Sequence, residues 1–128
     1  MNKARGAVVV MVVVTVLVVA CGGGGNAGGG SRTDVHMGQT DFTQASIPIS
    51  KGGSINLIND SAVTHLIANG TWEQNTAHPG AEPGAPTVNN LQFTTANQSQ
   101  TIGPFTMTGT FHLYCTVHPG MNLTVTVQ

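Results

Sequence analysis

Charge is scarce in this chain: four lysines and arginines and five aspartates and glutamates serve 128 residues. None of the cations cluster, which excludes a nucleic-acid partner, since phosphates are bound through Lys and Arg. Cysteine is rarer still, with only Cys21 and Cys115, so a disulfide-stapled scaffold is excluded. No apolar run has membrane-spanning length, because the valine-rich stretch Ala7–Ala20 falls short of the roughly 20 residues that a helix needs to cross a bilayer. Sustained 3.6-residue apolar periodicity is also missing beyond that stretch, which argues against a helical domain.

What is present begins with a leader. Met1 to Arg5 carries two positive charges and opens onto the apolar run, the anatomy of a signal peptide over residues 1–20. Its end, Val18-Val19-Ala20-Cys21, resembles the bacterial lipobox, which implies that Cys21 is the lipidated first residue of the mature protein. Gly22–Ser31 is nearly all glycine and reads as a tether, so 21–31 links an anchor to a domain at 32–128. Gly23, Gly25 and Gly28 fit a dinucleotide-binding spacing, but no strand precedes them and the match fails its structural context. With the leader gone, Arg32 and Lys51 face Asp34, Asp41, Asp60, Glu73 and Glu82, a net charge of about −3 with the histidines neutral. An exported chain with Cys21 lipidated keeps Cys115 as a lone thiol, and such a thiol in an oxidising compartment needs a purpose.

The domain itself alternates short runs rich in Val, Ile, Thr and Phe with Gly, Asn and Pro, the pattern of an all-β protein. Strands are expected at Asp34–Met37, Ala45–Ser50, Ser54–Asn59, Val63–Ala68, Thr71–Glu73, Leu91–Thr94, Ser99–Gly103, Thr108–Cys115 and Leu123–Val127. About eight such strands suggest a β-sandwich. Asn69-Gly70 is the residue pair favoured in a two-residue hairpin turn, and His78–Pro86 is too rich in Pro and Gly for a ladder, so it reads as a surface loop. Alternation places Phe111, Leu113 and Cys115 on one face and Thr110, His112 and Tyr114 on the other. Val63, His65 and Ile67 share a face, as do Ile55, Leu57 and Asn59. Met37 and Met107 read as core, and His36, His78 and His112 as ordinary polar residues.

Chemistry concentrates in Cys115-Thr116-Val117-His118-Pro119-Gly120-Met121, which follows one strand and precedes another. A turn of this size can fold thiolate, imidazole and thioether around one point, whereas a flat strand would send them to alternate sides. Each residue alone has an ordinary reading: Cys115 a small buried hydrophobe, Met121 a core residue, His65 a satisfied core histidine. Soft sulfur with imidazole suits copper, and two His, one Cys and a long axial Met form the blue-copper arrangement; the local segment lacks the second His, which must come from elsewhere in the chain.

Tyr114 to Met121 resembles the ligand loop of the cupredoxins, the type 1 blue copper proteins of amicyanin/plastocyanin-like kind, and its Cys-x-x-His-x-x-Met spacing is similar to that of the amicyanins rather than to the longer loops of the plastocyanins and azurins. Asp41-Phe42, the run Ile47 to Asn59 and then His65 resemble that family's strand, glycine turn, strand and first ligand. The resemblance implies a Greek-key β-sandwich holding one copper ion, cycling between Cu(II) and Cu(I), through His65, Cys115 and His118 with Met121 axial. It further implies that Asn59 ties the two ligand loops together near Thr116. Thr64 and Leu66 depart from the Pro and Asn common beside the first ligand, which bears on the hydrogen bonding behind His65. An aromatic in the position of Tyr114 serves some members as a remote electron port; the plainer reading is a surface Tyr pairing across strands.

The function implied is a one-electron shuttle with no enzyme activity, because no coordination position is left open for substrate. Its expected partners are redox proteins such as cytochromes, oxidases or dehydrogenases. The lipid on Cys21 would hold it, as a monomer, at the outer face of a bacterial cytoplasmic membrane, in the periplasm or on the cell surface. Copper storage or delivery is one alternative and a metal-free structural lipoprotein another; reversible one-electron cycling separates the first, and copper uptake the second.

Overall fold

β-branched residues at alternate positions make strands whose inner faces can be buried together. The structure, a computed structural model, describes residues 30–128; the expected leader, Cys21 and nearly all of the tether lie outside the described residues. Nine strands follow one another: β1 (Arg32–Met37), β2 (Ser46–Ile49), β3 (Ser54–Asn59), β4 (His65–Glu73), β5 (Thr76–Pro79), β6 (Leu91–Phe93), β7 (Ser99–Ile102), β8 (Gly109–Cys115) and β9 (Asn122–Val127). They build two sheets. One has the order β1-β3-β7, and the other runs β2-β9-β8-β4-β5 with β6 also on β4. Neighbours such as β4 and β8 are far apart in sequence, so the chain crosses between layers as a Greek-key sandwich requires.

The expected parity holds. Burial alternates strictly along β3 and β9, and Ile55, Leu57, Ile67, Phe93, Phe111, Leu113, Leu123 and Val125 meet in one apolar core. Each such side chain contributes roughly 1.5–3 kcal/mol on leaving water. At the end of each inward series stands a residue that is not a plain hydrocarbon: Asn59 on β3, His65 on β4 and Cys115 on β8, all fully buried. The core is therefore apolar along its length and chemical at one end.

Four local expectations are corrected. Asn69-Gly70 does not turn the chain, because β4 continues through it to Glu73; the two-residue turn is Gln74-Asn75, both at positive φ, as a type I′ turn demands. Asn69 instead anchors residues 86–88, its side chain donating to the Pro86 carbonyl at 3.1 Å and accepting from the Val88 N–H at 2.6 Å. Gly70, at φ +133°, lets β4 leave the ladder with β8, and a side chain there would collide with the His78 carbonyl and the Tyr114 ring. The second half of β4 thereby folds over the outer face of β8.

Tyr114 consequently points away from the core, as parity requires, yet is only 4% exposed. Trp72 covers it edge-on, with ring centroids 5.9 Å apart. The expected 78–86 loop starts later than supposed, since His78 and Pro79 pair with Thr71 and Gly70 in β5. Met107 is not core: it is 51% exposed and lies over Gly84, on the segment before β8 rather than in a strand.

Candidate metal centre

Three strand ends converge at one pole of the sandwich. β8 delivers Cys115 at its last residue, β4 delivers His65 at its first, and the loop between β8 and β9 returns His118. The donor atoms of His65, Cys115 and His118 lie within 4.8 Å of one another. Cys115 Sγ is 3.8 Å from His65 Nδ1 and 3.3 Å from His118 Nδ1. Bonds of about 2.3 Å to sulfur and about 2.0 Å to nitrogen, spread in a trigonal plane, put donors roughly 3.7 Å apart. The two sulfur-to-nitrogen distances bracket that spacing.

The imidazoles are prepared for it. His65 Nε2 lies 3.0 Å from the Gly38 carbonyl, and a carbonyl can only accept, so Nε2 carries the proton and Nδ1 presents its lone pair to the sulfur. Burial pushes the His65 pKa below its ordinary value, the Gly38 carbonyl opposes that shift and the neighbouring His118 reinforces it. The lone pair is thereby kept free. The rings of His65 and His118 meet edge-on, centroids 4.9 Å apart. His65 is fully buried, whereas His118 is half-buried and flanked by exposed Val117 and Pro119.

Backbone hydrogen bonds shape the ligand loop. The Cys115 N–H donates to the Met121 carbonyl at 3.0 Å, and the Met121 N–H to the His118 carbonyl at 3.2 Å, closing residues 115–121 into a tight turn. Gly120 supplies the positive φ, +81°, that this closure needs. Met121, 1% exposed, is packed in the core cluster with Cys115. Thr116 donates its N–H to the Leu66 carbonyl at 2.8 Å, so the two ligand strands are joined through backbone and the departure at Leu66 leaves that link intact.

Asn59 does not reach Thr116. Its amide donates to the carbonyls of Val63 at 3.1 Å and Thr95 at 3.2 Å, and its oxygen accepts from the Ser61 N–H at 3.3 Å. It therefore braces the approach to His65 rather than the 115–121 loop. Gly38 and Ser61 carry roles that sequence reading missed; the Ser61 hydroxyl also lies 3.3 Å from the Gly38 carbonyl. The only local hint is a glycine, Gly38, directly after the predicted strand Asp34–Met37. Of the remaining histidines, His36 pairs with Asp60 at 2.7 Å and His112 with Glu82 at 2.5 Å, and neither belongs to the donor cluster; His78 is exposed.

The comparisons agree with this architecture. Residues 30–128 match the family of copper binding proteins, plastocyanin/azurin family. None of the curated proteins matches the chain in sequence. Among solved structures, amicyanin from Paracoccus versutus (Thiobacillus versutus) superposes with a TM-score of 0.56 at 19% identity, covering 76% of this chain and 81% of that one. A purple cupredoxin from Nitrosopumilus maritimus gives 0.57 at 16% identity over 75% of this chain and 99% of that one. At such identities these likenesses establish the fold, and the family match over the whole described domain establishes kinship. The chain belongs to the copper-binding plastocyanin/azurin family, and its cofactor is copper.

Proposed function

We propose that this protein is a type 1 copper electron carrier, with His65, Cys115 and His118 as equatorial ligands and Met121 as the axial one. The observation that carries the reading is the meeting of one thiol sulfur and two imidazoles within 4.8 Å of one another, the sulfur 3.3 and 3.8 Å from the two Nδ1 atoms, in a family that binds copper. Copper held there supplies a one-electron couple. The residues supply the rest: His65 and Cys115 are fixed in the core, where hydrogen bonds hold them still and water is excluded. Ligands that move little between oxidation states keep the reorganisation small, and filled positions leave no place for a substrate. The reading therefore includes no enzyme activity.

His118 is the ligand nearest to solvent, and Val117 beside it is 47% exposed. A small patch of low charge suits the brief docking of a redox protein such as a cytochrome, oxidase or dehydrogenase, where contacts below roughly 1,200 Å² are usual. Together with the lipobox-like Val18 to Cys21, this supports a lipid-anchored monomeric shuttle on the outer face of a bacterial cytoplasmic membrane. The test is to reconstitute the residue 31–128 domain with Cu(II) and record absorption, paramagnetic resonance and voltammetry. An intense sulfur-to-copper band with reversible one-electron cycling is expected; copper bound without that cycle would overturn the carrier reading, and no copper uptake would overturn the site.

A further inference from the structure

The carbonyl of Cys115 is left over by the sheet. In an antiparallel ladder a residue's N–H and C=O address the same neighbour, and the Cys115 N–H does bond to Met121 in the direction of β9. The Met121 N–H, however, turns into the loop toward His118 instead of answering the Cys115 carbonyl. That carbonyl is taken by Trp72, whose indole Nε1–H donates to it at 2.7 Å. The donor comes from the far half of β4, carried over β8 by the bend at Gly70.

Trp72 is itself held in place. Asn122, next to Met121, accepts from the Trp72 N–H at 2.7 Å and donates to its carbonyl at 3.0 Å. The ring stands at 82° to Tyr114. On the other side, the N–H of the Cys115–Thr116 peptide bonds to Leu66. One peptide plane is thus gripped at both of its polar ends, its oxygen by Trp72 and its N–H by the strand that bears His65. This plane opens the ligand loop, so its tilt sets where His118 stands relative to the sulfur of Cys115.

We propose that Trp72 is a positioning residue for the thiolate: its indole N–H fixes the Cys115–Thr116 peptide and through it the aim of Cys115 toward the two imidazoles. The inference rests on the copper reading above. Without the donor, a partly buried carbonyl turns toward whatever water or N–H it can reach, and the loop turns with it. Outer partners of ligands carry roughly 10- to 100-fold in metal affinity.

The test compares the purified full chain with its Trp72→Phe variant, which keeps an aromatic ring against Tyr114 and loses the donor. Expected are a roughly 10- to 100-fold weaker hold on copper in chelator competition, a displaced sulfur-to-copper absorption maximum and a shifted reduction potential. In metal-free wild type, the single indole N–H should exchange with solvent slowly in nuclear magnetic resonance. A Trp72→Phe protein that merely melts earlier, with copper affinity, spectrum and potential unchanged, overturns the proposal, as does an indole N–H that exchanges freely. That exchange measurement decides the matter even where the variant fails to fold. A wild type that takes up no copper overturns the reading beneath; a variant indistinguishable from copper-loaded wild type overturns only the role of Trp72.

Discussion

Cys115 Sγ stands 3.3 Å from Nδ1 of His118 and 3.8 Å from Nδ1 of His65, so a single sulfur mediates between a ligand at the surface and a ligand in the core. Replacing it isolates its contribution. In Cys115→Ser the sulfur-to-copper absorption band should vanish, while the metal-free fold loses only about 1–3 kcal/mol for hiding a hydroxyl. Absorption spectra and urea unfolding check the two parts, and a blue colour persisting in the serine variant would falsify the ligand assignment.

Met121 offers a weak thioether from within the core. Met121→Leu removes any axial donor, which disfavours Cu(II) and should raise the reduction potential by at least about 60 mV, one factor of ten in the relative affinity for the two oxidation states. Met121→Gln presents a harder oxygen and should lower it. Voltammetry of the two variants reads the sign, and equal potentials in both would remove Met121 from the site.

Asn59 is fully buried and makes bonds to Val63, Thr95 and Ser61. Asn59→Ala leaves two carbonyls and an N–H without their partner and should cost about 2–3 kcal/mol in the metal-free protein. The damage should extend to His65, whose ring resonances are expected to broaden or shift in the variant. Denaturant unfolding giving a loss below about 0.5 kcal/mol would mean that water replaces Asn59 freely.

Glu82 ties the segment after β5 to β8, accepting from the His112 N–H at 3.2 Å and pairing with its ring. Burial alone would raise its pKa, but the hydrogen bonds from the His112 ring, from its own backbone N–H and from the His112 N–H, with the charge of His112, together outweigh this and hold the carboxyl below its ordinary 4.5. A group depressed on folding stabilises above its unfolded pKa and loses that contribution as pH falls through the folded value. Thermal unfolding of Glu82→Gln should therefore lie below wild type near pH 6 and converge with it in acid below 4.5. Parallel curves across that range would show the pair to be inert.

Parity gave the inward faces of β3 and β8, and the Cys-x-x-His-x-x-Met spacing gave the ligand loop, because both are short-range consequences of strand and turn geometry. The errors come from contacts distant in sequence. Asn69-Gly70 carries a true local turn signal, overridden because Asn69 is needed by Pro86 and Val88 and Gly70 by the passage over Tyr114. Tyr114 could not be seen as buried without knowing that Trp72 lies on it, and Trp72 in a strand reads as any large apolar residue. Asn59 lies in the expected neighbourhood but bonds to other partners, since Thr95 approaches it only through β6 folding back on β4.

The parallel pairing of β1 with β3 has a directional consequence. β1 starts beside the Lys51–Gly53 turn, where Ser54 donates to the Ser31 carbonyl at 2.9 Å, and it ends opposite Asn59, next to the Gly38 that orients His65. The strand carries the backbone about 17 Å from one pole to the other. The chain thus enters the described domain at the pole opposite Val117 and His118, which keeps the copper end clear of the point of entry.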